Sequence, residues 1–161
     1  MNKKQVGAFL KVMAKDDLRP VLTNATISRY NDRLVLVGTD GHKFAAIYIE
    51  DADELEGKLI PRSAIEVWYK LATGKSRLTG QELVDSLAKH AVDGQFPGWQ
   101  KLIPQGDTVP QATMRFNAEF FKIMQDLTGS ADMTVKLYGE VHPMVIESEL
   151  GIFVVMPMKK V

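Results

Sequence analysis

The chain has 161 residues, of which 45% are hydrophobic and 25% charged, and its 20 basic side chains balance its 20 acidic ones. This composition is typical of a globular protein and excludes a collagen-like or disordered chain, while the absence of cysteine excludes disulfides, thiolate catalysis and cysteine-ligated zinc. The zero net charge hides an alternation, because residues 1–50 carry eight basic and five acidic side chains whereas residues 51–60 carry one and four.

The first predicted element is an amphipathic helix near the N-terminus. Lys4, Lys11 and Lys15 lie together on one side of a helical wheel, opposite an apolar side. A lysine-rich helix face is often only solvated, but it also suits a surface that follows a phosphate backbone without reading bases. The apolar residues have the spacing of one buried helix face: Val6, Phe9, Leu10 and Met13.

Three strands rich in Val, Ile, Leu and Tyr are predicted after this helix. The pairs Asn31-Asp32 and Asp40-Gly41 predict the hairpin turns between them. The acidic run of residues 51–56, which follows the third strand, ends at Gly57 and predicts an exposed connection. The strands are predicted over residues 21–28, 33–37 and 43–49.

A second segment begins with a predicted helix, in which Ser63 is the N-cap and Glu66 completes a capping box. Gly74 is predicted to end this helix. Residues 76–95 fit either a helix or further strands, and the sequence does not decide between them. The apolar face of the predicted helix consists of Ile65, Trp68, Tyr69 and Ala72.

Two stretches rich in proline and glycine, residues 96–99 and 104–110, predict a linker to a third segment. Asn117 is predicted to cap a helix whose apolar stripe is Phe120, Met124 and Leu127, and Gly129 to end it. Strands are predicted over residues 133–138, 144–147 and 152–156, the last of them ending at Pro157.

No motif in the chain supports catalysis, a cofactor or a metal. The triplet Gly74-Lys75-Ser76 lacks the upstream glycine of a phosphate-binding loop. Asp40, His42 and Ser63 have the residue types of a hydrolase triad, but no nucleophile elbow accompanies them. The acidic run lacks the ligand spacing of a calcium loop, and the three histidines have no zinc-binding spacing. We therefore expect a non-enzymatic protein with no cofactor and no metal site.

The termini show no targeting segment. The first apolar stretch stops at Lys11, and the apolar run at residues 152–158 is far shorter than the roughly 18–20 residues that span a bilayer. We expect a cytoplasmic protein without a membrane partner.

Three stretches together resemble the bacterial DNA sliding clamp, the β subunit of the replicative DNA polymerase. They are Thr-Asp-Gly-His-Lys-Phe-Ala at residues 39–45, Val-Asp-Gly-Gln-Phe-Pro-Gly-Trp-Gln-Lys-Leu-Ile-Pro at residues 92–104, and Val-Val-Met-Pro-Met at residues 154–158. Residues 60–62, 116–117 and 142–146 add weaker similarity. The order of the fragments makes the match specific, although each fragment alone is weak.

The resemblance implies an α+β protein with the DNA-clamp fold, built of helix-plus-antiparallel-strands modules with the helices on one face of the sheets. Residues 1–104 would correspond to the middle domain of a clamp protomer. Residues 111–161 would correspond to the C-terminal half of its last domain. The first clamp domain and half of the last have no counterpart in this chain.

In sliding clamps, polymerases and repair factors dock a short linear peptide between the middle and last domains. The same three stretches contain the parts of that pocket, although Lys43, Phe44 and Gly98-Trp99 depart from the residues that are usual in the family. The resemblance implies a pocket lined by Leu22, Thr39, Gly41, His42, Lys43, Phe44, Pro97, Lys101, Leu102, Val154, Val155, Met156, Pro157 and Met158.

The predicted function is that of a shortened clamp-like accessory factor of DNA replication or repair. Lys4, Lys11 and Lys15 would contact duplex DNA non-specifically, and the pocket would recruit a polymerase or repair protein. An odd number of modules would leave one sheet edge unpaired, and such an edge predicts a homo-oligomer. The alternative is a stand-alone clamp mimic that competes for clamp-binding peptides without encircling DNA.

Overall fold

The computed structural model describes residues 1–15, 18–103, 117–129, 133–139 and 141–157. Four helices and seven antiparallel strands form the regular structure of these residues. The helices are α1 (Lys3–Val12), α2 (Arg62–Leu71), α3 (Gly80–Leu87) and α4 (Glu119–Thr128). The strands are β1 (Asn24–Tyr30), β2 (Arg33–Thr39), β3 (Lys43–Tyr48), β4 (Leu59–Pro61), β5 (Thr134–Lys136), β6 (Met144–Ser148) and β7 (Gly151–Val155).

All seven strands form one sheet in the order β4-β1-β2-β3-β7-β6-β5. The first segment supplies β1 to β3 and the third supplies β5 to β7, and the two meet where β3 pairs with β7. In this pairing Lys43 lies opposite Val155 and Phe44 opposite Val154. The first and third segments are therefore direct neighbours, although about a hundred residues lie between β3 and β7 along the chain.

The central strands are buried on both faces of the sheet. On β2, for example, Leu36 points into the larger core with the helices, whereas Val35 and Val37 belong to a smaller core on the opposite face. This alternation follows from the two-residue period of a strand. All four helices contribute to the larger core, and the predicted α+β class with helices on one face is confirmed.

Helix α1 lies between α2 and α4 in the helical layer. Its predicted apolar residues are buried, and Asn2 and Gln5 form a capping box at its start. At its other end the Arg62 guanidinium donates to the backbone oxygens of Leu10 and Met13, the latter at 3.1 Å. These bonds satisfy carbonyls that a helix end leaves unpaired.

The start of α2 differs from the prediction. Ser63 does not cap the helix, because α2 begins at Arg62 with Pro61 in the cap position and no side-chain cap. Glu66 accepts a hydrogen bond from Arg62 at 2.8 Å instead of completing a capping box. Helix α2 therefore begins without the capping box that the sequence suggested, and the Arg62 side chain instead contacts the end of α1. The helix also ends at Leu71, three residues before the predicted stop at Gly74.

Residues 76–95 include the helix α3, capped by Thr79, and a short 3-10 helix at Ala88–His90. Within the described part of this segment, Val92 forms only an isolated bridge with Leu59 of β4. The second segment therefore does not repeat the helix-then-strands plan of the other two.

The predicted hairpins and the third segment are observed with small shifts of their boundaries. Asn31 and Asp32 both have positive φ, 48° and 61°, as the two-residue turn between β1 and β2 requires. Gly129 ends α4 in the left-handed conformation, and Asn117 accepts a hydrogen bond from the Glu119 amide at 2.9 Å. The predicted linker at residues 104–110 lies outside the described residues.

In the described ranges, none of the helices combines the length and the apolar character needed to cross a membrane.

Candidate functional site

A cavity of about 380 Å³ opens beside the junction of β3 and β7. Its walls come from the segment before β1, the β2–β3 turn, residues 96–102 and the chain after β7. Most of the side chains are apolar, with a few polar groups among them. They are Arg19, Val21, Leu22, Thr39, Gly41, Lys43, Phe44, Phe96, Pro97, Gly98, Trp99, Leu102 and Met156.

The turn between β2 and β3 forms one wall and is held by its own side chains. The Thr39 hydroxyl donates to the Lys43 carbonyl at 2.7 Å and accepts from the Gly41 amide at 3.0 Å. The Asp40 carboxylate accepts from the amides of His42 and Lys43 and pairs with the Lys43 ammonium. Local bonds of this kind fix a turn without neighbouring elements.

Gly41 lets an arginine lie against this turn. Its φ is +89°, a conformation that glycine adopts without strain, and a Cβ at this position would lie 2.6 Å from a guanidinium nitrogen of Arg19. The Arg19 guanidinium therefore occupies space that a side chain at residue 41 would contest.

Residues 96–103 form the opposite wall and cover the second face of the sheet. Trp99 is only 3% exposed, and its ring centroid lies 5.7 Å from that of Tyr30 and 5.6 Å from that of Phe44. Gln100 donates to the Ser28 hydroxyl at 3.1 Å and fastens the segment to β1. Leu102, in contrast, is 40% exposed and presents an apolar side chain to solvent in the cavity.

Helix α4 and the chain after β7 close the site. The Lys43 ammonium lies 5.0 Å from the centroid of the Phe120 ring, a cation–π contact with α4. The Met156 amide donates to the His42 carbonyl at 3.2 Å, which extends the β3–β7 pairing beyond the strand. The polar and apolar parts of the cavity are thus positioned by both halves of the sheet.

The structure brings eight of the fourteen predicted pocket residues into the wall of this cavity. Val154 and Val155 are buried in the two cores on either side of β7, beneath the cavity. His42 lines a neighbouring cavity, and Lys101 is exposed but does not line the cavity. Pro157 is half-buried without lining the cavity, and Met158 lies outside the described residues. The eight are Leu22, Thr39, Gly41, Lys43, Phe44, Pro97, Leu102 and Met156.

Sequence reasoning missed five residues of the wall. Phe96, Gly98 and Trp99 belonged to a predicted linker, yet two aromatic residues within four positions were a signal that this stretch packs against the sheet. Arg19 and Val21 carried no comparable signal.

The predicted lysine face lies on the helical layer. Lys4, Lys11 and Lys15 are all exposed. Lys4 pairs with Asp126 of α4 at 3.0 Å, and this hydrogen bond, with the nearby charges of Lys11 and Lys122, lowers the pKa of the Asp126 carboxyl. Lys122 of α4 is exposed as well, so two neighbouring helices contribute to one basic surface. Lys122 was not among the predicted DNA-contacting lysines, because only α1 carries a regular lysine stripe.

No protein-family profile matches the chain. A search of curated proteins finds a β sliding clamp from Proteus mirabilis that is 28% identical over 109 residues. The match covers 60% of this chain and 30% of that protein.

Solved structures give a longer match. The β subunit of DNA polymerase III from Borrelia burgdorferi, in complex with a natural product, superposes with a TM-score of 0.72 at 12% identity and covers 98% of this chain. A sliding clamp from Bartonella birtlesii, bound to griselimycin, has a TM-score of 0.66 at 19% identity over 98% of the chain. The chain spans 61% and 63% of those two clamps, respectively.

Proposed function

We propose that this chain, which has the bacterial sliding-clamp fold, is an accessory factor of DNA replication or repair. It captures a polymerase or repair protein by a short linear peptide and contacts duplex DNA non-specifically through its helical layer. Its action is binding and not catalysis. One observation carries the proposal: residues 19–22, 39–44, 96–102 and Met156, far apart in sequence, converge on one cavity.

The shape and chemistry of the cavity suit a peptide with apolar anchors. Its volume of about 380 Å³ is within the usual range of ligand pockets, which are mostly apolar with a few placed polar groups. Leu22, Leu102 and Met156 supply the apolar contacts, and a methionine adapts its shape to different anchors. Thr39 and Lys43 offer polar contacts to the peptide backbone.

A charge placed in the cavity tests the peptide proposal. The probe is a fluorescent peptide that carries a clamp-binding motif, and its affinity is measured by anisotropy. Leu102→Asp puts a carboxylate among apolar side chains without removing a buried residue, so we expect at least tenfold weaker binding. Val141→Asp is the matched control, because Val141 is 80% exposed and does not line the cavity. Absence of peptide binding by the wild-type protein, or equal binding by both variants, contradicts the proposal.

The DNA contact rests on Lys11, Lys15 and Lys122, for which the described residues provide no ion pair. Each lysine that neutralises a phosphate contributes about 0.9 to the slope of log affinity against log salt. We expect Lys11→Ala and Lys15→Ala each to lower that slope by about one. Lys4→Ala lowers it less, because Asp126 already pairs with Lys4. Lys75→Ala, on an exposed loop, serves as the control.

A clamp mimic is the second candidate. The observation that favours it is that the lining of the cavity contains none of the lysines proposed to contact DNA, so peptide binding does not require the DNA contact. A mimic would bind the motif peptide and would compete with a full-length clamp for it. Retained peptide affinity with no DNA binding at low salt supports the mimic over the DNA-contacting factor.

A further inference from the structure

A groove of about 480 Å³ lies between α2 and α3. Residues 61–91, which contain both helices and the loop between them, all belong to the described part of the chain. The groove shares no lining residue with the cavity at the β3–β7 junction. It is therefore a second surface, independent of the proposed peptide site.

Helix α2 contributes an apolar wall to this groove. Ala64, Val67, Trp68 and Leu71 have the spacing of one helix face and form a stripe along it. Trp68 is 9% exposed, and its indole N–H donates to the Glu82 carboxylate of α3 at 2.9 Å. Val67 and Leu71, in contrast, are 55% and 79% exposed. Large apolar side chains that lie together at the surface with a polar rim are typical of a protein contact.

Helix α3 and the 3-10 turn after it contribute a polar wall with the same spacing. Its lining residues are, in order, Glu82, Asp85, Ser86 and Lys89, and His90 lies at the same end as Lys89. Among the described residues, neither the two carboxylates nor the Lys89 ammonium has an ion-pair partner. The charge of this wall therefore changes from negative to positive along its length.

We infer that this groove binds the same groove of a second copy of the chain in a two-fold symmetric contact. A wall whose charge reverses along its length is complementary to itself when the second copy lies antiparallel, because Asp85 of each copy then faces Lys89 of the other. The same arrangement buries Val67 and Leu71 of both copies. A purely basic or purely acidic partner would match only one end of the wall.

Sedimentation equilibrium of the full chain tests the inference in the variant Val135→Lys. A lysine at this position opposes pairing at the sheet edge formed by β5, so the remaining association reports the groove. We expect this parent variant to be a dimer at micromolar concentration. Adding Leu71→Asp places a carboxylate in the apolar contact and should weaken the dimer at least tenfold. Val141→Asp is the matched control, because Val141 is 80% exposed and lies outside the groove.

A charge exchange in the same parent tests the antiparallel arrangement. Asp85→Lys alone, or Lys89→Asp alone, places like charges opposite each other twice in each dimer. Each change should raise the dimer dissociation constant about three- to tenfold at low salt. The double variant Asp85→Lys/Lys89→Asp restores both opposite-charge pairs and should return the constant to that of the parent.

Three results would overturn the inference. They are a monomeric parent variant, a dimer that Leu71→Asp weakens no more than Val141→Asp does, and a double charge variant that associates as weakly as the single ones. The inference does not rest on the proposed function, and failure of the peptide proposal would leave it standing.

Discussion

Trp99 joins the wall of the candidate pocket to the sheet beneath it. The indole is almost fully buried and packs at aromatic distances against Tyr30 of β1 and Phe44 of β3. From sequence, Trp99 belonged to a predicted linker and to one of the stretches that resemble sliding clamps. In the structure it packs on the sheet, as the two aromatic residues of this short stretch could have indicated.

Replacing Trp99 should therefore lower the stability of the fold, and any weaker peptide binding should follow from that loss of stability. Trp99→Ala removes a large buried side chain, and we expect the free energy of unfolding to fall by about 3–5 kcal/mol. Trp99→Phe, which keeps an aromatic ring against Phe44, should cost less. Urea denaturation followed by circular dichroism measures both variants. An unchanged midpoint for Trp99→Ala would show that residues 96–103 do not pack on the sheet as described.

Among the secondary-structure elements, those with local signals were predictable. The apolar spacing of α1 and α4 and the turn at Asn31-Asp32 led to the correct elements, because periodicity and turn chemistry act over a few residues. The predicted start of α2 was wrong, because the helix begins at Arg62 and Ser63 therefore lies inside it, where it cannot act as the N-cap. The pairing of β3 with β7 is non-local, and nothing in the spacing of either strand specifies its partner.

The residues of the candidate site were likewise predictable only in part. The resemblance to sliding clamps identified eight residues of the cavity wall, whereas periodicity alone identified none of them. Val154 and Val155 lie beneath the cavity because alternate residues of a fully buried strand point into different cores. Arg19 was missed because its position depends on the space above Gly41, which only the folded turn creates.

Gly151 tests the importance of the β3–β7 junction. It lies in β7 opposite Ile47, and a Cβ at this position would be 2.1 Å from the Ala46 carbonyl oxygen, a backbone atom that cannot move aside freely. We expect Gly151→Ala to lower stability by about 1–3 kcal/mol. We also expect weaker peptide binding, because a shift of β7 against β3 would move Met156 relative to Lys43 and Phe44 at the other end of the same pairing.

The control is Gly74→Ala, since nothing lies within 4 Å of a Cβ at Gly74. Both variants are compared by urea denaturation and by anisotropy with the motif peptide. Equal stability and equal affinity of the two would contradict the account of the junction.

Among the residues that the structure describes, one edge of the sheet is covered and the other is open. Strand β4 exchanges two hydrogen bonds with Val92 at 2.9 Å, which caps that side. Strand β5, at the other edge, is short and bears Val135, which is 42% exposed. Open strand edges favour pairing with another chain. The zero net charge also conceals the exposed lysines Lys11, Lys15 and Lys122 on the helical side, so neutrality does not argue against a DNA partner.

We expect this edge to support self-association into a homo-oligomer. Light scattering at micromolar concentration should give a mass above that of one chain, and Val135→Lys should shift it toward the monomer, because an edge lysine opposes strand pairing. A wild-type monomer at that concentration would contradict the oligomer and any closed ring built from it.

The central claim is that one cavity at the β3–β7 junction binds a peptide. Hydrogen–deuterium exchange with and without the motif peptide tests it most directly, because exchange reports protection segment by segment. The account predicts slower exchange in residues 39–44 and 96–102 and at Met156, with α3 unchanged. Protection confined to α2 and α3, or no protection at a peptide concentration that saturates binding, would contradict it.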